Sequence, residues 1–215
     1  TFAEERADKI RVALFFDKGV GKGQHRSGTA VKRMLFSSDE FDTKIVYRED
    51  VRDGSLRNYD VVVFPGGLGG VEARDMGEEG RKEVRRFVSE GGLYMGVCAG
   101  CYLASSARDS YIGLLPLKTA DPKHWHRGEG KVDVQFTPLG MKVFGLHDSD
   151  QRIFYANGPI FAAPEDQSKL NEMSPLCFFR SERVAPGGEP GVMVNAPAMV
   201  MGHYGRGLVL GISPH

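Results

Sequence analysis

At 215 residues the chain is long enough to fill one α/β core and short for two. Lysine plus arginine and aspartate plus glutamate each number 28, so the formal net charge is zero, which argues against a general nucleic-acid binder. No apolar run reaches membrane-spanning length, and three cysteines are too few for a disulfide framework.

Residues 1–9 read as a polar, flexible tail. The start, Thr1-Phe2-Ala3-Glu4-Glu5-Arg6, lacks methionine, so the chain is expected to have lost an initiator Met or a targeting segment. It is read as a soluble protein, cytoplasmic or the mature form of an exported one. Ile10–Phe16 has the branched and aromatic content of a first central strand, followed by a glycine-rich loop and a helix whose Val31, Met34 and Leu35 share one face. The loop's Gly19, Gly21 and Gly23 fit neither G-x-G-x-x-G nor the Walker A spacing, so nucleotide binding is not assigned. Thr43–Tyr47 and Asp60–Phe64 are the next strands. The second of them opens into Pro65-Gly66-Gly67-Leu68-Gly69-Gly70, whose backbone is free to turn N–H groups toward a ligand. Glu78–Glu90 is an amphipathic helix with Val84, Phe87 and Val88 on its buried side, stopped by Gly91-Gly92.

Leu93–Val97 is a short buried strand and Ala99–Ser106 a small-residue helix. Between them, Gly96-Val97-Cys98-Ala99-Gly100 is a G-x-C-x-G form of the nucleophile elbow, in which only small residues fit two positions either side of the nucleophile. The turn would lift Cys98 to the first turn of a helix, where unpaired N–H groups favour a thiolate. The competing reading is a buried structural cysteine between two packing glycines. Beyond residue 110, Ile112–Lys118, Gly130–Phe136, Met141–Phe144 and Arg152–Tyr155 are short strand candidates. They suggest antiparallel hairpins added to the core. Cys177–Val184, Met199–His203 and Leu208–Ile212 are further strands, the last entered through a Tyr204-Gly205-Arg206-Gly207 turn. The whole of residues 1–215 is read as one doubly wound, mainly parallel α/β domain with antiparallel additions in its C-terminal half. Its chemistry is expected at the C-terminal strand ends.

Three segments carry a resemblance: Val61–Gly67, Gly96–Gly100 and Gly207–His215. In this order they resemble the class I glutamine amidotransferase-like superfamily, of flavodoxin-like architecture. Trp125-His126-Arg127-Gly128 and Tyr155-Ala156-Asn157-Gly158-Pro159-Ile160-Phe161 narrow the resemblance to the biotin-protein ligase N-terminal-domain-like family. The resemblance implies that Cys98 is the nucleophile, His215 its general base, and the N–H groups of Gly67 and Ala99 the oxyanion hole. His203 and His25 are the alternative bases. Gly66, Leu68, Trp125, Arg127, Tyr155 and Asn157 are expected to line the substrate site. Trp125 could equally cover the core, and Asn157 could equally be a turn-former.

The sequence departs from its relatives in three places. The sequence ends at His215, so the glutamate that follows it in relatives is absent or lies beyond; no acid stands in Lys18–Gln24 after the first strand, and Tyr204–Leu208 lacks the fuller biotinyl-adenylate loop of true ligases. The activity the resemblance implies is hydrolysis or amidotransfer at an amide or acyl bond of a small-molecule or peptide-like substrate. No cofactor, metal, nucleic acid or membrane is called for. A metal pair at His124 and His126, completed by His147 or Asp148, is the weaker reading of those histidines. A non-catalytic domain binding a small molecule or partner is the alternative, as is a thiol-redox protein using Cys98 and Cys101.

Overall fold

The computed structural model describes residues 9–23, 27–162 and 173–215; the expected tail at 1–8 and His25 lie outside them. In the first half, strands alternate with helices: β1 (Ile10–Phe15), α1 (Ser27–Ser37), β2 (Phe41–Val46), α2 (Arg48–Arg52), β3 (Val61–Phe64), α3 (Gly69–Ser89), β4 (Leu93–Val97) and α4 (Ala99–Ala104). The second half holds β5 (Lys118–Thr119), β6 (Glu129–Phe136), α5 (Pro138–Phe144), β7 (Asp150–Ala156), β8 (Phe161–Ala162), β9 (Met173–Phe179), β10 (Pro197–Tyr204) and β11 (Gly207–Ile212).

Nine of these strands form one sheet in the order β2-β1-β3-β4-β11-β10-β9-β6-β7, while β5 and β8 pair separately. From β2 to β11 the strands are parallel, and from β11 to β7 each pair is antiparallel. Parallel strands covered on both faces must be apolar throughout, which is why Val61–Phe64 carries no charge. Alternation then divides the side chains. Val12, Leu14 and Val63 pack under Val31 and Leu35 of α1, whereas Ala13, Phe15, Val62 and Phe64 meet Val84, Phe87 and Val88 of α3. On that second face Phe15, Phe64 and Tyr94 stack, with ring centroids 4.8 and 5.3 Å apart.

The antiparallel additions of the C-terminal half are in place, β10, β9, β6 and β7 extending the same sheet beyond β11. Several expectations are corrected. Met141–Phe144 is helical, because the Thr137 hydroxyl accepts a hydrogen bond from the Gly140 N–H, Pro138 opens the first turn and Gly145 closes the helix at φ 64°. Most of Ile112–Lys118 is not a strand: Gly113 turns at φ 72°, and Ile112 and Leu115 donate their N–H groups to the Leu103 and Ala104 carbonyls. Met34 is 53% exposed, so the buried stripe of α1 is Val31 and Leu35. The strand placed at Cys177–Val184 runs instead over Met173–Phe179. Helix α3 begins at Gly69, well before Glu78, with a break at Gly77 (φ 71°, ψ 178°) dividing it in two. Arg52 bonds the Met76 and Asp75 carbonyls that this break leaves free.

Candidate active site

Strand β4 ends at Val97, and α4 begins one residue later. That abrupt turn forces Cys98 to φ 51° and ψ −100°, a conformation a non-glycine residue adopts only when its surroundings impose it. The flanking glycines make the turn possible. A Cβ at Gly100 would lie 2.0 Å from the Phe64 carbonyl oxygen, and one at Gly96 would lie 2.4 Å from the Gly100 oxygen. The Tyr94 hydroxyl donates to that same Gly100 oxygen at 2.7 Å, and the Cys98 N–H donates to the Ile212 carbonyl at 2.8 Å. The elbow is thereby tied to β11, and β11 runs parallel to β4 with Ile212 opposite Val97. The chain that leaves β11 therefore emerges beside the elbow.

His215 reaches the site along this path. Its N–H donates to the Phe154 carbonyl at 2.8 Å, and its ring lies near Phe154, with centroids 6.2 Å apart. On its other side a Cβ at Gly66 would stand 2.9 Å from the imidazole. The Cys98 thiol donates to the Ala156 carbonyl at 3.5 Å, and His215 Nε2 is 3.4 Å from that same oxygen. Sulfur and imidazole are thus brought to one acceptor, with no direct hydrogen bond between them.

Two further groups bear on the sulfur: the backbone N–H groups of Ala99 and Gly67 favour its ionised form. Gly67 is held in place because the loop after β1 zips against it. Leu68 N–H donates to the Gly19 carbonyl at 2.8 Å, and Gly21 N–H to the Gly66 carbonyl at 2.9 Å. No side chain fits at Gly67, where a Cβ would lie 2.1 Å from the Gly19 oxygen. Below this pair of loops lies Glu72, fully buried, with neither carboxyl oxygen hydrogen-bonded among the described residues. Burial pushes its carboxyl up to about 8, so it carries a proton at neutral pH.

The electrostatics correct the expectation of a helix-stabilised thiolate. Burial pushes the Cys98 thiol up to about 12; the Ala99 and Gly67 N–H groups pull it down and the Glu72 carboxyl pushes it further up. Burial also lowers the His215 imidazole below its ordinary value, against the Ala156 carbonyl and the Glu129 carboxylate, which raise it. At neutral pH the resting pair is a neutral thiol and a neutral imidazole.

Cys98 and His215 lie at a cavity of about 1160 Å³. Residues 27–114, which include the elbow and the glycine loop, match the family described as biotin-protein ligase, N terminal. PurLQS from Thermotoga maritima superposes over 97% of this chain and 88% of its own, at a TM-score of 0.66 and 18% identity. The fold is glutamine amidotransferase-like. A cytoplasmic protein from Salmonella typhimurium LT2 superposes at a TM-score of 0.58 and 13% identity, over 95% of this chain and 88% of its own. A ThuA-like protein from Bacteroides uniformis does so at 0.56 and 12%, over 100% and 85%. At these identities the likeness is one of fold. No curated protein matches the chain.

Within this amidotransferase-like frame, Gly66, Gly67, Leu68, Trp125 and Asn157 line the cavity together with Cys98 and His215. Ala99 contributes its N–H from below. Arg127 and Tyr155, expected in the lining, do not reach it. Arg127 is buried, bonded to the Asp121 carboxylate at 2.9 Å and the Arg183 carbonyl at 3.2 Å. Tyr155 is buried too, its hydroxyl donating to the Gly158 carbonyl at 2.8 Å. Asn157 sits at φ 56°, and its side-chain oxygen accepts the Gly128 N–H at 2.7 Å, so it shapes the wall as a turn residue. His203 is exposed on β10 and lies away from the cavity. His124 bonds Asp121 at 2.7 Å, and no group of three metal-ligating side chains occurs among the described residues.

Sequence reasoning missed Ala156, Phe154, Glu72, Tyr102 and Arg108. Tyr102 was within reach, since it stands one helical turn after Cys98. Phe154 and Ala156 follow from β7 alternation once its pairing is known. Ala156 acts through its carbonyl, for which side-chain identity gives no signal. No helix among the described residues is long and apolar enough to cross a membrane.

Proposed function

We propose that the protein is a cysteine-nucleophile hydrolase or amidotransferase-type enzyme acting on an amide or acyl bond. The observation that carries this reading is the left-handed Cys98 at a strand-to-helix turn, with two N–H groups and an imidazole gathered around its sulfur. Strands from both ends of the chain share one sheet, which supports treating residues 1–215 as a single catalytic domain.

In this reading the Cys98 sulfur attacks the carbonyl carbon as the thiol proton passes to His215. The carbonyl oxygen, becoming an oxyanion, takes the Ala99 and Gly67 N–H groups beside the sulfur. Collapse expels the amine or alcohol, which leaves with the proton held by His215. Water then cleaves the thioester, releasing the acid and returning the sulfur to its thiol; in a transfer reaction the expelled ammonia passes to a second acceptor. Because the resting thiol is neutral, proton transfer accompanies attack and does not precede it. Intact-mass analysis after treatment with an electrophilic glutamine analogue tests the reading. A single adduct on Cys98, absent in His215→Gln, is the expected result. No adduct, or equal labelling of Cys101 and Cys177, would overturn it.

The high position of the Cys98 thiol and the lack of a direct bond to His215 favour one competing reading, a domain that binds a small molecule without reaction. For the redox alternative, Cys98 and Cys101 are both free thiols, and Cys101 is fully buried against Gly211.

A further inference from the structure

The chain as a whole is electrically neutral, yet the mouth of the cavity is not. Lys22, Arg74 and Arg108 line it with a single carboxylate, Glu129, among the described residues. The three cations come from different elements: the loop after β1, the first part of α3 and the segment after α4. Elsewhere arginines are matched with acids, as in Arg11 with Asp60 at 2.6 Å, Arg48 with Asp75 at 3.0 Å and Arg152 with Asp133 at 2.7 Å. Arg74 and Arg108 have no carboxylate partner among the described residues. Asp75, next to Arg74 in sequence, is occupied by Arg48.

Lys22 also acts on Asp17, whose carboxyl it helps to lower, whereas Arg108 is positioned without being neutralised. The Arg108 guanidinium lies over the Tyr111 ring at 5.7 Å, and Lys22 Nζ lies over the Phe16 ring at 5.3 Å. An aromatic face orients a cation and leaves its charge available to a ligand. A concave wall then focuses that charge toward whatever enters.

Resting on the hydrolase or amidotransferase reading above, we infer that the substrate carries an anionic oxygen group, a carboxylate or a phosphate, bound by Lys22, Arg74 and Arg108 in the cavity that holds Cys98. Guanidinium forks suit both kinds of anion. An amide with a free acid at its far end fits this cavity, and a wholly neutral amide leaves Arg74 and Arg108 without a counter-charge.

The test compares two reagents of one size and opposite character, neutral iodoacetamide and anionic iodoacetate, with Cys98 labelling read by mass spectrometry at low salt. The ratio of the iodoacetate rate to the iodoacetamide rate is expected to fall about tenfold in the Arg74→Gln/Arg108→Gln double variant, and to fall likewise on adding about 0.5 M salt. A ratio that stays constant in both comparisons would overturn the inference while leaving the nucleophile intact. If neither reagent labels Cys98, the nucleophile reading fails by itself. The inference is then decided by Trp125 fluorescence during titration with succinamate, inorganic phosphate and succinamide. Saturation by an anion, tighter than by succinamide and lost in the double variant, supports it; equal responses to all three, or no response, overturn it. Succinamate without phosphate identifies a carboxylate site, and phosphate without succinamate a phosphate site.

Discussion

In the parallel half of the sheet, the site is made by main chain: β4, its turn and the glycine loop after β3 place a sulfur and two N–H groups with almost no help from side chains. In the antiparallel half, β6 and β7 supply a wall whose shape depends on specific polar contacts, such as Asn157 to Gly128 at 2.7 Å, and on the Ala156 carbonyl. The first kind of construction is intolerant of added atoms and indifferent to chemistry. The second tolerates bulk and fails when a donor or acceptor is lost.

The sharpest way to break the parallel half is Gly100→Val. Its Cβ would occupy space 2.0 Å from the Phe64 oxygen, inside the close-packed join of β3 and α4. The expected result is loss of the folded state or destabilisation beyond about 4 kcal/mol, read by thermal unfolding. A variant melting like the parent would contradict the elbow geometry. Next in size is His215→Gln, expected to slow Cys98 acylation by p-nitrophenyl acetate by roughly 100- to 10,000-fold, followed as burst release of nitrophenol. Stability should change little, since the residue follows the last strand. An undiminished burst would remove His215 from the chemistry.

Glu72→Gln probes the layer beneath the two glycine loops of the parallel half. The carboxyl stands at about 8 in the folded protein against an ordinary 4.5. Between those values the unfolded chain has released the proton and the folded one still holds it. Stability is therefore lost as pH rises through this window, at about 1.4 kcal/mol for each step of one in pH, and the loss is level above about 8. The stability of Glu72→Gln relative to the parent should accordingly climb from about pH 4.5 to about pH 8 and then stay flat. A difference independent of pH in urea denaturation would show that Glu72 is ionised or solvated. The smallest of these effects belongs to the antiparallel half. Asn157→Ala strips the Gly128 N–H of its partner and leaves alanine at φ 56°, for a cost of about 1–3 kcal/mol. A midpoint equal to the parent's would mean that the wall is held by other contacts.

The same contrast explains what the sequence made legible. Val61–Phe64 and Leu93–Val97 are buried on both faces, so unbroken apolar runs mark them, and Gly96 and Gly100 mark the turn because nothing larger fits. In the antiparallel half the signals conflict. Val143 and Phe144 favour a strand by composition, yet the Thr137-Pro138 start and Gly145 stop make the segment a helix. Arg127 and Tyr155 belong to the segments that carried the family resemblance, but the sequence does not say which way a side chain turns. Both turn inward, to Asp121 and Gly158. Lys22, Arg74 and Arg108 look individually like ordinary solvated charges. Their meeting at one rim is a property of the topology, spread over 86 positions of chain.

The Ala156 carbonyl has one more consequence, for the proton inventory of the resting site. A carbonyl oxygen can only accept, so an imidazole nitrogen that bonds to it must bear hydrogen. His215 at rest is then the Nε2–H tautomer, with its lone pair on Nδ1. Both mobile hydrogens of the pair, one on sulfur and one on Nε2, are parked on a single oxygen, and neither heavy atom is ready to trade with the other. A ligand that competes for the Ala156 oxygen would unlock both at once, coupling its arrival to the release of the Cys98 thiol and the His215 imidazole. Nitrogen-15 shifts of His215 would show this directly: an Nε2–H signature in the free protein that changes when the cavity is filled, where an unchanged tautomer on filling would rule the coupling out.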